Sequence, residues 1–185
     1  MVARTVIRMG HPTLRQVAEQ VLVSELKTPE FKQLLIDMYD TMKVEGGIGI
    51  AAPQINVPLQ VTLIELPEDN DRYGELEGTP LMVIINPVLK YLTQEHQGFW
   101  EGCLSVPGLR GFVERPKKVQ VDYINEHGEP KTLVVEDFLA TVFQHELDHL
   151  FGKLYIDRIT DTTKLAYSEE FSTFIKPHPN DTLDE

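Results

Sequence analysis

The stretch Gln144-His145-Glu146-Leu147-Asp148-His149 holds the residue types that metal-assisted hydrolysis needs. Positions four apart on an α-helix lie on nearly the same side, one turn above each other, so His145 and His149 can aim two imidazoles at one metal ion. Glu146 is turned from His145 by about 100°. That is too far for a third ligand on the same face, and close enough to take a proton from a water beside the metal. Two readings stay open at this point. A pair of histidines on an apolar helix can also be satisfied core residues, and the pentapeptide offers two ligands where a protein zinc site needs at least three.

The surrounding segment decides whether a helix is there. From Glu136 to Phe151 the apolar residues Phe138, Leu139, Val142, Phe143, Leu147 and Leu150 recur at steps of three and four, predicting a helix with a wide buried face. A second helix is predicted from Thr28-Pro29-Glu30, which combines a capping hydroxyl, a proline at the first helical position and an acid at the positive helix end. Phe31, Leu34, Leu35, Met38 and Met42 form its buried stripe, and Gly46-Gly47 ends it. Strands are predicted at Leu59–Leu66, Leu81–Ile85, Val88–Leu92, around Val119, Val121 and Tyr123, and at Lys131–Val135. Asn86-Pro87 reads as the close of the second of these. Residues 67–80 read as a mobile acidic surface loop, His11 and His127 as turn residues, and 161–175 as a weak third helix.

Composition bounds the function class. The 185 residues suit one domain, with 42% hydrophobic and 25% charged residues, as in ordinary soluble globular proteins. A formal net charge of −12 argues against direct nucleic-acid binding, which needs clustered Lys and Arg. No apolar run is long enough for a membrane span, and the first residues show neither a signal core nor a transit stretch. A cytoplasmic location is expected, or an organellar one if a presequence has been removed. Cys103 is the single cysteine. It forms no intrachain disulfide, and it can be a small buried hydrophobe, a ligand or a nucleophile.

Two further stretches are unusual. Gly47-Ile48-Gly49-Ile50-Ala51-Ala52-Pro53-Gln54 is small and apolar, lacks the Lys-Ser/Thr of a phosphate-binding loop, and ends on one amide. Small residues let another backbone come close, and Gln54 can donate to an oxygen; alone, the stretch also reads as a tight turn into a strand. In Glu101-Gly102-Cys103-Leu104-Ser105 the cysteine follows a glycine, where backbone can approach a site.

Taken in order, these three stretches match G-x-G-x-A-A-x-Q, E-G-C-x-S and H-E-x-D-H, and together they resemble the peptide deformylase family, whose members remove the N-formyl group from new polypeptides. The resemblance runs to about Arg158. It implies an α+β fold, a single domain of mostly antiparallel strands around a central metal-binding helix, with residues 1–176 as the catalytic domain; residues 177–185, polar and acidic in composition, read as a disordered tail. It supplies the missing ligand: Cys103, with His145 and His149, would bind one divalent metal. Fe(II) would be the native metal, with Zn, Ni or Co able to occupy the site, although ligand chemistry alone suggests zinc.

The resemblance also implies the roles. The metal would activate a water, Glu146 would take its proton and later pass it to the leaving amine, and the Gln54 amide with the Leu104 backbone N–H would stabilise the oxyanion. A methionine pocket would be lined by Ile48, Phe99, Phe138, Thr141 and Val142, with Gly49, Glu101 and Gly102 holding substrate near the backbone and Arg110 near the mouth. Phe99-Trp100 is bulkier and Thr141 more polar than is usual in the family, which puts pocket size in question. Arg115 would be structural, and Gln144 and Asp148 would orient the helix and its imidazoles. N-formylmethionyl nascent peptides are the implied partner, which would place the protein near the ribosome; the acidic tail does not support a ribosome-docking extension. The competing readings are an H-E-x-x-H peptidase, which has no need of Cys103, and a non-catalytic metal-binding member of the fold, which has no need of Glu146 or Gln54.

Overall fold

In the computed structural model, residues 3–66, 79–175 and 182–183 are described. Helix α1 (Pro29–Glu45) begins as its caps dictate: the Thr28 hydroxyl accepts from the Phe31 N–H, and Gly46 ends the helix in the left-handed conformation at φ 73°. Its buried stripe, Phe31, Leu34, Met38 and Met42, packs against Ile50, Val61, Leu63 and Ile85. Helix α2 (Asp137–Leu150) buries twelve of its fourteen residues, Phe138 and Ala140 through Leu150. Phe143, Leu147 and Leu150 pack against Ile64, Ile84, Val119 and Val121.

The sheet between these two cores has the order β1-β2-β3-β6-β7 and is antiparallel throughout. Its strands are β1 (Gly49–Ala51), β2 (Val61–Leu66), β3 (Thr79–Tyr91), β6 (Lys118–Ile124) and β7 (Pro130–Glu136). Along β2, Val61 and Leu63 face the α1 core while Ile64 faces the α2 core, so the strand is apolar on both faces. A second sheet has the order β8-β5-β4-β9. Strands β4 (His96–Glu101) and β5 (Leu109–Pro116) pair antiparallel, β8 (Leu165–Tyr167) lies antiparallel to β5, and β9 (Thr182–Leu183) runs parallel to β4 beside Trp100 and Glu101.

Two expectations change. Asn86-Pro87 does not close a strand: β3 continues to Tyr91 through a register shift between Ile85 and Val88. Asn86 takes a left-handed φ of 51°, and its side chain pairs with the backbone of Val21 through both N–H and C=O, which ties the irregularity to the N-terminal segment. The region 161–175 is not one helix but a 3₁₀ turn at Thr162–Lys164, strand β8, and a short helix α3 (Ser168–Phe174). Pairing with Leu109–Gly111 of β5 draws Leu165–Tyr167 into extended form. The expected tail and loop fall largely outside the described residues, which exclude 67–78, 176–181 and 184–185. Of the tail, Thr182–Leu183 form β9.

No helix among the described residues is long and apolar enough to cross a membrane. His11 caps a 3₁₀ turn, and His127 is exposed in the β6–β7 turn.

Candidate active site

Helix α2 leaves β7 with no intervening loop. Asp137 turns through φ 56°, its N–H donates to the Lys117 carbonyl, and its own carbonyl accepts from the Gln97 side chain. At the other end the Ala18 N–H donates to the Leu150 carbonyl at 2.9 Å. The helix is thus fixed at both ends by segments remote in sequence, and its C-terminal half carries His145, Glu146 and His149 into the buried interior.

Cys103 arrives from the end of β4. Gly102 and Cys103 leave the strand, Leu104 and Ser105 form a turn, and the Val106 N–H closes it on the Cys103 carbonyl at 2.9 Å. One donor atom from each of Cys103, His145 and His149 lies within 4.8 Å of the others, and all three residues are buried. The Cys103 Sγ is 3.4 Å from His149 Nε2. A soft thiolate with two imidazoles is a donor set that suits Zn, Fe, Co or Ni, so the residues present fit a divalent transition metal.

The imidazole of His145 is oriented by a buried carboxylate. Its Nδ1 lies 2.7 Å from Glu101 Oε2, and since an ionised carboxylate only accepts, Nδ1 carries the proton and Nε2 is left as the donor atom for a metal. Glu101 is in turn clamped by Arg115, Nε to Oε1 at 2.6 Å and a second guanidinium nitrogen to Oε2 at 2.9 Å. Burial pushes the Glu101 carboxyl up, but the Arg115 guanidinium and His145 outweigh it and hold the group below the ordinary carboxylate range. Arg115 also reaches Asp148 at 2.8 Å. The Tyr155 ring stacks on His145 at a centroid distance of 6.0 Å, and burial raises its hydroxyl well above the usual phenol range.

Glu146 is fully buried. The Thr62 hydroxyl donates to its Oε2 at 3.3 Å, and Gly49 of β1 lies against its carboxylate, where a Cβ would stand 2.3 Å from Oε1. The Gln54 amide nitrogen approaches Cys103 Sγ at 3.7 Å, while its Oε1 accepts from the Ala51 N–H at 2.8 Å, an arrangement that fixes which end of the amide faces the cluster. The side chain of Leu104 sits beside Gly47, so the two glycine-containing stretches meet there.

Of the residues expected to line a pocket, Ile48, Phe138, Thr141 and Val142 are buried. Phe99 packs edge-on to Phe138 at 5.5 Å. The Thr141 hydroxyl accepts from Gln97 Nε2 at 3.2 Å, so its polarity is satisfied from the side. The guanidinium of Arg110 covers Gly102, where a Cβ would come within 1.9 Å of its terminal nitrogen. The Gln144 amide donates to the carbonyls of Pro116 and Ala140, and Asp148 binds Arg115 and Arg158. Thr62, Tyr155 and Arg158 were not legible as site residues: each reaches the site only through tertiary contact, and no motif spacing marks them.

Residues 3–165 match the polypeptide deformylase family model. A peptide deformylase of Leptospira biflexa is 43% identical over 173 residues, covering 94% of this chain and 97% of the relative. Peptide deformylase 1 of Bordetella pertussis is 43% identical over 164 residues, covering 89% and 92%. Among solved structures, the Met-Ala-Ser-bound class I type b peptide deformylase of Acinetobacter baumannii superposes with a TM-score of 0.80 at 37% identity, covering 85% of this chain and 99% of that one. An actinonin complex of the Synechococcus elongatus enzyme gives 0.76 at 34% identity, covering 93% and 87%. A match of that breadth, on a fold that gathers a buried cysteine beside two histidines of helix α2, means that this chain belongs to the polypeptide deformylase family, the metal-dependent enzymes that remove the formyl group from N-formylmethionyl peptides.

Proposed function

We propose that this protein hydrolyses the N-terminal formyl group of nascent formylmethionyl peptides, with Cys103, His145 and His149 holding one divalent metal. The observation that carries the reading is the convergence of those three donor atoms within 4.8 Å, with Glu146 buried on the same turn of helix. When bound, the metal supplies Lewis acidity that makes water nucleophilic near neutral pH and polarises the formyl oxygen.

The remaining steps belong to the chain. Glu146, held by Thr62 and backed by Gly49, accepts the proton of the attacking water and delivers it to the leaving amine. The Gln54 amide N–H and the backbone N–H of Leu104 stabilise the charge that grows on the formyl oxygen. Glu101 keeps His145 in one tautomer and orientation, so the ligand does not have to reorganise during turnover. Ile48, Phe99, Phe138, Thr141 and Val142 accept the methionine side chain, while Gly49, Glu101 and Gly102 run alongside the peptide backbone and Arg110 stands near the entrance. The Met-Ala-Ser complex of the Acinetobacter baumannii relative supports a peptide product beginning with methionine. Fe(II) as the native metal, and action in the cytoplasm close to the ribosome, complete the proposal.

The test is formate release from formyl-Met-Ala-Ser by protein loaded with one defined metal. Stoichiometric formate and free Met-Ala-Ser are expected. Cleavage of internal bonds in unformylated peptides without formate would instead identify a peptidase, and metal binding with neither product would identify a non-catalytic member of the fold.

A further inference from the structure

Five side chains form one continuous line of hydrogen bonds that begins at His145 and ends at the surface. His145 donates to Glu101 at 2.7 Å, and Arg115 clamps Glu101 with two bonds while giving its remaining arm to Asp148 at 2.8 Å. Asp148 then accepts twice from Arg158, from Nε to Oδ2 at 3.0 Å and from the terminal nitrogen to Oδ1 at 2.5 Å. Side-chain exposure rises along the line, from 1% and 0% at His145 and Glu101 through 4% and 10% at Arg115 and Asp148 to 34% at Arg158. The outer end opens on a cleft of about 440 Å³ lined by Tyr91, Phe151 and Lys153.

The charges along the line balance only if Arg158 is counted. With it, two carboxylates face two guanidinium groups. Without it, Glu101 and Asp148 share the single cation Arg115, and Asp148 loses two of its three bonds. Arg115 is then drawn towards Asp148 and loosens its bidentate hold on Glu101, the group that fixes the ring of His145. The 3₁₀ turn that carries Arg158, Tyr155–Arg158, also stacks Tyr155 on the same imidazole. We propose that Arg158 is a positioning residue for His145, acting through Asp148, Arg115 and Glu101. This rests on the reading of Cys103, His145 and His149 as metal ligands.

The experiment loads metal-free wild type, Arg158→Ala, Arg158→Lys, Glu101→Gln and the double variant Arg158→Ala/Glu101→Gln with Co(II). It then records the visible Co(II) absorption and the rate of metal release to excess EDTA, and measures thermal unfolding of each metal-free protein alongside. Arg158→Ala is expected to release Co(II) about tenfold faster, in the range found for residues that orient metal ligands, and to alter the absorption bands. Arg158→Lys, which keeps the charge and one of the two bonds, falls between. The double variant releases no faster than Glu101→Gln alone, because the line is already cut.

Unchanged release and spectrum in Arg158→Ala overturn the inference, as do effects that multiply in the double variant. Lowered thermal stability with unchanged Co(II) release marks an ordinary structural ion pair and also overturns it. If Arg158→Ala does not fold, Arg158→Lys decides: faster release than wild type supports the role, and equal release overturns it. Failure of the wild type to bind Co(II) is a separate result, which removes the ligand assignment itself and this inference with it.

Discussion

The backbone of Gly49 and the carboxylate of Glu146 are in such close contact that a methyl group on Gly49 would lie 2.3 Å from Glu146 Oε1 and 2.5 Å from its Cδ. Gly49 is not among the residues with positive φ, so alanine suits its backbone, and the nearest atoms that its methyl group would meet are those of the Glu146 side chain. Gly49→Ala is therefore expected to leave metal content unchanged and to lower turnover by about a hundredfold, the cost of misplacing a catalytic group by around 1 Å. Near-normal turnover of formyl-Met-Ala-Ser by a metal-loaded Gly49→Ala protein would show that Glu146 does not need its present position.

The ligand and base roles separate in two further variants. Glu146→Ala is expected to bind metal as the wild type does and to lose nearly all turnover. Cys103→Ala is expected to lower the metal content, measured by elemental analysis after gel filtration. A fully metallated Cys103→Ala protein would exclude the thiolate from the ligand set.

Arg115 is 3% exposed and serves two carboxylates. Arg115→Ala leaves Glu101 buried without its main counter-ion, and a cost of about 3–5 kcal/mol is expected from broken buried pairs of this kind. Urea unfolding of the metal-free protein followed through Trp100, the single tryptophan, measures it. A loss under about 1 kcal/mol, the range of exposed pairs, would mean that Glu101 finds another partner.

The same pairs set the acid limit. Burial pushes the carboxyls of Glu101 and Asp148 up, yet Arg115 on the first, and Arg158 with Arg115 on the second, hold both below their reference values of 4.5 and 3.8. A depressed carboxylate contributes stability that is fully present above its unfolded value and is lost as pH falls through its folded value. Stability of the metal-free protein should therefore be insensitive to these groups above pH 4.5 and fall below 3.8. Equilibrium unfolding at a series of pH values measures the slope, and a loss already complete above pH 4.5 would contradict the assignment.

The proposed pocket predicts a ranking of substrates. Ile48, Phe138, Thr141 and Val142 are buried, Phe99 closes on Phe138 edge to face, and Thr141 spends its hydroxyl on Gln97. Formyl-Met and formyl-norleucine peptides should be used with similar kcat/KM, and formyl-Ala peptides at least tenfold less efficiently, since about 0.8 kcal/mol is gained per buried methylene. Equal efficiency for all three would refute the pocket.

What could be read from the chain was local. The caps and spacing of α1 and the stripe of α2 sit within a few residues of each other, and both helices form where they are expected. The histidine pair is local too, whereas Cys103 joins it across 42 and 46 positions, which only the resemblance supplied. Strands β4 and β5 went unread because glycines break their alternation. The structure gives the reason: the Phe112 ring covers Gly98, and Ile159 covers Gly111, so each glycine makes room for a side chain from elsewhere. Arg158 carries no local signal, for its meaning depends on the fold that brings Asp148 beside it.

The N-terminal segment has a consequence for the order of assembly. The carbonyl of Leu150, at the end of the helix bearing the histidines, is satisfied by the amide of Ala18, and Val17 bridges to Phe151. Nearby, Arg15 reaches Asp157, and Gly152 turns with φ 70° where any side chain would strike the Arg15 backbone. Residues synthesised first thus wait for residues made near the end before either is secured. Such long closures slow a folding reaction, and a fragment ending before Leu150 lacks the carbonyl that the Ala18 amide secures.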